Sequence, residues 1–368
     1  MAEPACLYRA GAATIALPGS PFAAEPSADG CWLYVSLSRG QSGAGGAVAV
    51  LQNDNGAFVV RRTLAVDGDP AGLRLTHDGK LLLLADGDGI AAFDAAALQR
   101  GAKNPEAGRI TVGAGTIYIV ISKDDRTAFA SEEGAARVAV IDLERGRNGE
   151  FGSSAVLGRI PTGLRPVGLA LSSKGDKLFA TSERAPDSLG LTAHCPAEGK
   201  RGGGRMVPEG LLSVIDVDRA RSNPRSATLA SWLAGCSPVR VVVQADDSVA
   251  WISARNEDAV YRFDLSALDG AERRALRRRF DVGPAPVGLA LAPDGDALWV
   301  ANSNRFASAE PGTVERMALL DDARGVLPTG RFPRDLVFLP DGSSLVVAVF
   351  GSSQLQFVPT ASREGMRH

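Results

Sequence analysis

With 368 residues, 45% of them hydrophobic, the chain can bury a large core, and a formal net charge of −2 removes any demand for nucleic acid or an anionic membrane as partner. No apolar run approaches the roughly 18 residues of a transmembrane helix. The opening residues, Met1 to Cys6, lack the basic and apolar regions of a signal peptide, so the expectation is a cytoplasmic protein or one whose signal precedes this numbering. The 42 Gly and 21 Pro call for many turns between short strands.

In chain order, the first element is an isolated apolar stretch, Ala12 to Pro18. After it one phrase recurs: a Gly-x-x-Pro turn, an apolar strand, an Asp-Gly turn and a second apolar strand. It begins at Gly19-Ser20-Pro21 with Asp29-Gly30, then at Gly68-Asp69-Pro70 with Asp78-Gly79, and more faintly at Gly113 with Asp124-Asp125. It returns at Gly163 to Ser182, at Gly235-Cys236-Ser237-Pro238 with Asp246-Asp247, at Gly283 to Asn302 with Asp294-Gly295, and at Gly330 to Val349 with Asp341-Gly342. Asp-Gly suits a hairpin because Gly tolerates positive φ. The turn position falls at Asp29, Asp78, Asp124, Lys174, Asp246, Asp294 and Asp341, in steps of 49, 46, 50, 72, 48 and 47 residues. The long step is one insertion, at about 184–209.

Each copy adds a third strand ending near an Asp, as in Ala91 to Asp94, Val138 to Asp142, Leu212 to Asp216 and Val260 to Asp264. A fourth leads to the next turn, as in Arg159 to Thr162, Phe280 to Val282 and Gly325 to Pro328. Four strands per period of about 45 residues is the signature of a propeller blade, which must pack on neighbours to cover its faces. The expected fold is therefore all-β: one seven-bladed β-propeller domain spanning 1–368, of four-stranded antiparallel blades. The last copy has three strands, so the N-terminal segment is expected to supply its fourth and close the ring.

The pattern Pro286-x-Gly288-Leu289-Ala290-Leu291-x-Pro293-Asp294-Gly295-x-x-Leu298-Trp299-Val300-Ala301-Asn302, with third strands such as Val138-x-Val140-Ile141-Asp142, resembles the YVTN-repeat propellers of the lactonase-like seven-bladed group. The resemblance covers nearly the whole chain and is best in the fourth, sixth and seventh copies. It implies the propeller fold; function differs among propellers, which host enzymes, binding proteins and scaffolds.

Gly-x-x-Pro turns and the loops after second strands share one expected face, around the central channel, where propellers usually meet ligands. Arginine is concentrated there: the chain has 34 Arg to 6 Lys, and Arg39, Arg165, Arg184, Arg240, Arg255, Arg305, Arg331 and Arg334 fall in these loops. Guanidinium groups grip carboxylates and phosphates bidentately. The competing reading is codon bias with pairing to Asp86, Glu132, Glu133, Glu183 and Glu257. Arg184, Arg255 and Arg305 follow second strands in matching places, flanked by Asn256 and Asn304; with Arg334 these form the expected ligand-binding set. The insertion, including Lys200 to Arg205, reads as a lid, a partner contact or a tolerated surface excursion.

Four cysteines allow three connectivities or four free thiols. Cys195 in the insertion faces Cys236 in the next turn, and Cys6 and Cys31 form a second plausible pair. Pairing would imply a periplasmic or extracellular protein, unpaired thiols a cytoplasmic one. No Ser-His-Asp set, zinc motif, P-loop or dinucleotide fingerprint is present. His77 reads as a solvated turn residue, His194 adjoins Cys195 and His368 is terminal. Gly43 to Gly46 reads as a connector, and Asp86 with Asp88 is too small a set for calcium. No metal and no cofactor are expected.

The expectation is a non-catalytic ligand- or protein-binding propeller, monomeric, with no membrane span and no nucleic acid, taking a small anion or a protein partner at its Arg-rich mouth. The alternative is a hydrolase of the 6-phosphogluconolactonase-like kind, which the resemblance also implies, acting on a sugar lactone. Glu183 would then be general base, with Arg184 and Arg255 as oxyanion donors. The His-rich inner-strand motif of that group is missing, so its catalytic residues are not carried over.

Overall fold

The computed structural model describes residues 5–38, 46–197, 205–269, 277–307, 309–321 and 323–360. Arg39, Gly43 to Gly45, Lys200 to Gly204 and His368 lie outside them. The chain is nearly all strand, in antiparallel sheets. The first sheet takes Ser20–Pro26, Trp32–Ser38, Ala47–Asp54 and Ala57–Ala65 in sequence order. Three later sheets repeat that plan: Leu164–Leu171, Lys177–Arg184, Leu211–Asp216 and Thr228–Leu233; Pro238–Val243, Val249–Ala254, Ala259–Asp264 and Arg277–Asp281; Pro286–Leu291, Ala297–Asn302, Thr313–Ala318 and Arg324–Pro328. The last sheet joins Pro333–Phe338, Ser344–Val349 and Gln354–Pro359 to Ala13–Ala16, with Ala13 opposite Phe357 and Ala16 opposite Gln354.

The second and third repeats merge into one seven-stranded sheet, because Glu106–Ile121 runs as a single strand of 16 residues. Gly113 and Gly115, at φ 102° and 75°, bend it where a turn was expected. Counting that strand in both repeats gives seven four-stranded sets.

Local chemistry explains the regularity. At six of the seven turns between first and second strands an Asp Oδ1 accepts the backbone N–H two residues on: Asp29 from Cys31, Asp78 from Lys80, Asp124 from Arg126, Asp246 from Ser248, Asp294 from Asp296 and Asp341 from Ser343. The next residue is left-handed. Gly30, Gly79, Gly175, Gly295 and Gly342 have φ of 68 to 77°, and Asp125 and Asp247 take φ 54° and 60° because a short polar side chain tolerates this region. That is why an Asp-Asp pair could replace Asp-Gly. The Asp that ends a third strand caps a short helix: Asp94 accepts from Ala97 N, Asp142 from Glu144 N and Arg145 N, and Asp216 from Arg219 N.

Second strands such as Val249–Ala254, Ala297–Asn302 and Ser344–Val349 are buried at every position, so they read as continuous apolar runs. Outer strands alternate, as in Ala57–Ala65 and Arg324–Pro328.

Compact packing divides the chain into two units. One holds Met1–Leu84, Ala92–Ala107 and Ala290–His368. In it the first and last sheets share a core of Leu33, Val35, Leu51, Val346, Leu355 and Phe357, with Leu17 and Tyr8 from the N-terminal segment. The other holds Ala85–Ala91 and Gly108–Leu289. There Phe129, Val140, Leu178 and Ile215 form one core cluster, and Phe179, Trp232, Ile252 and Phe263 another.

A hydroxyl repeats across these cores. Thr181 Oγ1 accepts from Gly168 N at 2.9 Å within its own sheet and donates to Val239 O of the next sheet at 3.0 Å. Ser131 does the same between Tyr118 N and Val167 O, and Ser253 between Arg240 N and Val287 O. In the other unit Ser36 links Ala23 N to Ala71 O.

Candidate functional site

In the unit containing residues 108–289, the turn Gly163-Leu164-Arg165-Pro166 sets Arg165 at φ 56°. Its guanidinium meets Glu133 at 2.7 Å and Glu183 Oε2 at 3.3 Å. Glu183 sits on the strand Lys177–Arg184, and its Oε1 accepts from Arg255 Nη2 at 2.8 Å. Arg255 opens the short 3-10 turn Arg255–Glu257, and the same Nη2 donates to Ser237 Oγ at 3.1 Å. Both oxygens of Glu183 are therefore engaged by guanidinium groups.

Arg184 ends its strand beside a cavity of about 200 Å³, walled also by Arg165, Glu183, Pro196, Val207 and Asn256. Arg184 Nε and Asn256 Oδ1 are buried without a hydrogen-bond partner among the described residues. Such orphaned polar atoms are rare in interiors and are what a bound ligand or ordered water satisfies. Arg184 and Arg165 also border a wider depression with Glu133 and Ala136.

The insertion forms one wall. Cys195–Pro196 and Met206–Val207 pair as a two-stranded hairpin, and Asn256 Nδ2 donates to Pro196 O at 3.0 Å. A Cys195–Cys236 disulfide ties the hairpin to the next sheet's entry turn. At its base Glu209 binds Arg277 at 2.6 Å and Gly235 N at 3.1 Å, and lies 3.1 Å from His194 Nε2. Burial pushes the Glu209 carboxyl up, but Arg277, the Gly235 N–H and His194 outweigh it and hold the group below the usual carboxylate range. A Cys6–Cys31 disulfide ties down the N-terminal segment, so all four cysteines are paired.

Of the remaining candidates, Asn304, Arg305 and Arg334 lie in the other unit, where Asn304 and Arg305 border a second cavity with Arg331. The three arginines expected to match do not. Arg184 is a strand end, Arg255 is buried in a 3-10 turn, and Arg305 lies in the loop after Asn302, whose neighbour Asn304 has φ 46°. Arg240 stacks on Tyr118 at 4.2 Å. Much of the arginine excess is paired, as Arg137 and Arg159 with Glu132 and Arg109 with Asp86 show. The Arg109 pairing also occupies the Asp86 carboxylate that calcium would need.

No family model matches the chain, and no curated protein matches it. Many solved structures do match. One is hydrazine synthase of Kuenenia stuttgartiensis, with a TM-score of 0.69 at 20% identity, covering 94% of this chain and 96% of that one. The chain is a β-propeller. At that identity the likeness speaks to fold alone. No helix among the described residues is long and apolar enough to cross a membrane, and the two disulfides fit a non-reducing compartment.

Proposed function

We propose that this chain is a non-catalytic binding propeller of the YVTN-repeat kind, with seven blades in a single domain, holding a small anion against Arg184 and Asn256 beneath the pinned hairpin. The observation that carries this reading is Arg184 Nε, a buried donor without a partner among the described residues, on a residue that walls the cavity; Asn256 Oδ1, also without a partner, is an acceptor that the hydroxyl of a protonated phosphate can meet. A guanidinium with unused donors is suited to a carboxylate or phosphate, and an amide beside it orients the ligand. A disulfide and the Glu209–Arg277 pair fix the hairpin over it, so the site is preorganised. The disulfides support a periplasmic or extracellular location, and the chain acts as a monomer.

Glu183 is poorly placed for the alternative role of general base in lactone hydrolysis, since its Oε1 already accepts from Arg255 and its Oε2 is ion-paired with Arg165. Calorimetry with inorganic phosphate and with acetate on the full chain tests the binding reading. Saturable binding of at least one, weakened about tenfold in Arg184→Gln, is expected. Binding of neither, or equal binding by the variant, rejects it. Turnover of plain or phosphorylated lactones that is lost in Glu183→Gln would favour the hydrolase.

A further inference from the structure

The unit containing residues 290–368 has a pocket of different chemistry. Its volume, about 480 Å³, lies in the range of small-molecule sites, and its walls include Asn304, Arg305, Glu310, Arg331, Phe332 and Phe350. The residue before Pro in four entry turns is left-handed: Arg165, Ser237, Ala285 and Phe332 have φ between 50 and 57°. For a bulky aromatic this conformation is disfavoured and must be held by its surroundings. Here Phe350 N donates to Phe332 O at 2.9 Å, Gly351 N to Arg331 O at 3.0 Å, and Arg331 N to Ser352 Oγ at 2.8 Å. The clamp fixes two half-buried rings, Phe332 and Phe350, with centroids 5.1 Å apart and planes tilted by 50°.

Cations surround these rings. Arg305 lies 5.2 Å from the Phe332 centroid, and Arg334 lies 5.5 Å from Phe332, 5.3 Å from Phe350 and 3.7 Å over Phe22. Arg331, exposed at the rim, spends one Nη2 hydrogen on Gly351 O. The one carboxylate in the wall among the described residues, Glu310, accepts from Asn304 Nδ2 at 3.3 Å and so braces the loop. Flat apolar faces exclude a purely inorganic anion as the best fit. Among the described residues the wall carries two guanidinium groups, Arg305 and Arg331, with Arg334 beside the rings, against one engaged carboxylate, which disfavours a cation.

We propose that this pocket binds a planar aromatic carboxylate, its ring against Phe332 and Phe350 and its carboxylate on Arg305 and Arg331. The two sites share no lining residue, and neither proposal needs the other.

Calorimetry of the full chain with benzoate tests this, with cyclohexanecarboxylate (same charge, no flat face) and benzyl alcohol (ring, no charge) as comparison probes. Arg305→Gln and Arg331→Gln alter loop residues that are not fully buried, and their folding is checked by thermal melts. Benzoate is expected to bind at least about tenfold more tightly than either comparison probe, to lose about tenfold in each Arg variant, and to bind unchanged in Arg126→Gln, an exposed residue outside both cavities. No benzoate binding, equal affinity for cyclohexanecarboxylate, or unaltered affinity in both Arg305 and Arg331 variants overturns the proposal. So does binding of L-phenylalanine but not benzoate, which would make Glu310 the recognition group.

Discussion

Arg255 Nη2 donates to Glu183 Oε1 at 2.8 Å, and the two side chains are only 4% and 6% exposed. A buried pair of this kind carries a large desolvation penalty, so losing one member is worse than losing both. Arg255→Met leaves Glu183 buried, and Arg165, which still meets it, is half-exposed. The expected loss is about 3–5 kcal/mol in urea unfolding, whereas Glu183→Met combined with Arg255→Met should recover most of it. A double variant as unstable as the single one would mean that the pair contributes through packing and not through charge.

Thr181 Oγ1 is fully buried and serves two sheets at once, accepting from Gly168 N and donating to Val239 O. The sheets approach closely here, since a Cβ on Gly168 would lie 2.4 Å from Val239 O. Thr181→Val keeps the shape and removes both bonds, stranding a buried donor and acceptor. The expected destabilisation is about 1–3 kcal/mol, measured by chemical denaturation, with the sheet content unchanged by circular dichroism. A neutral result would show that the hydroxyl is incidental to sheet stacking.

These two relationships mark the boundary of what the sequence revealed. The strands were legible because their turns are local: Asp29, Asp78 and Asp341 bond to backbone two residues away, and such chemistry is written in adjacent letters. The addition of Ala13–Ala16 to the last sheet followed from counting strands. The weak third copy was obscure because Glu106–Ile121 passes through Gly113 and Gly115 without breaking into two strands. The site was less legible, since its pairings join residues 72 positions apart, as in Glu183 with Arg255. Arginine excess signalled anion binding, but Arg165, Arg137, Arg159 and Arg109 are matched by carboxylates that only the fold brings near. The Phe332 and Phe350 platform carried a faint signal, an aromatic residue where other entry turns place Arg, Ser or Ala.

The Cys195–Cys236 bond closes a separation of 41 residues, and loop-closure entropy for that length gives about 4 kcal/mol of stabilisation. Replacing both cysteines by Ser should lower the melting temperature and speed hydrogen exchange at His194 and Ala197, whose N–H groups bond across the hairpin. Thiol titration of the unfolded, unreduced chain should find no free thiol, since Cys6–Cys31 takes the other two cysteines. Four titratable thiols in the protein as isolated would remove both bridges and the compartment argument with them.

Glu209 makes the hairpin's attachment sensitive to acid. Its folded-state pKa lies below the ordinary value because Arg277, the Gly235 N–H and His194 together overcome the effect of burial. A depressed carboxylate binds its proton more weakly when folded than when unfolded, so its contribution is whole above the unfolded value of about 4.3 and is lost as pH falls through the lower folded one. The stability difference between the wild type and Glu209→Gln should therefore be constant from pH 7 down to about pH 5.5, then shrink on further acidification. Urea midpoints collected across that range test it. A difference that grows as pH falls would mean that burial, not Arg277, governs this carboxyl, and the ion pair would no longer explain how the insertion is held over its cavity.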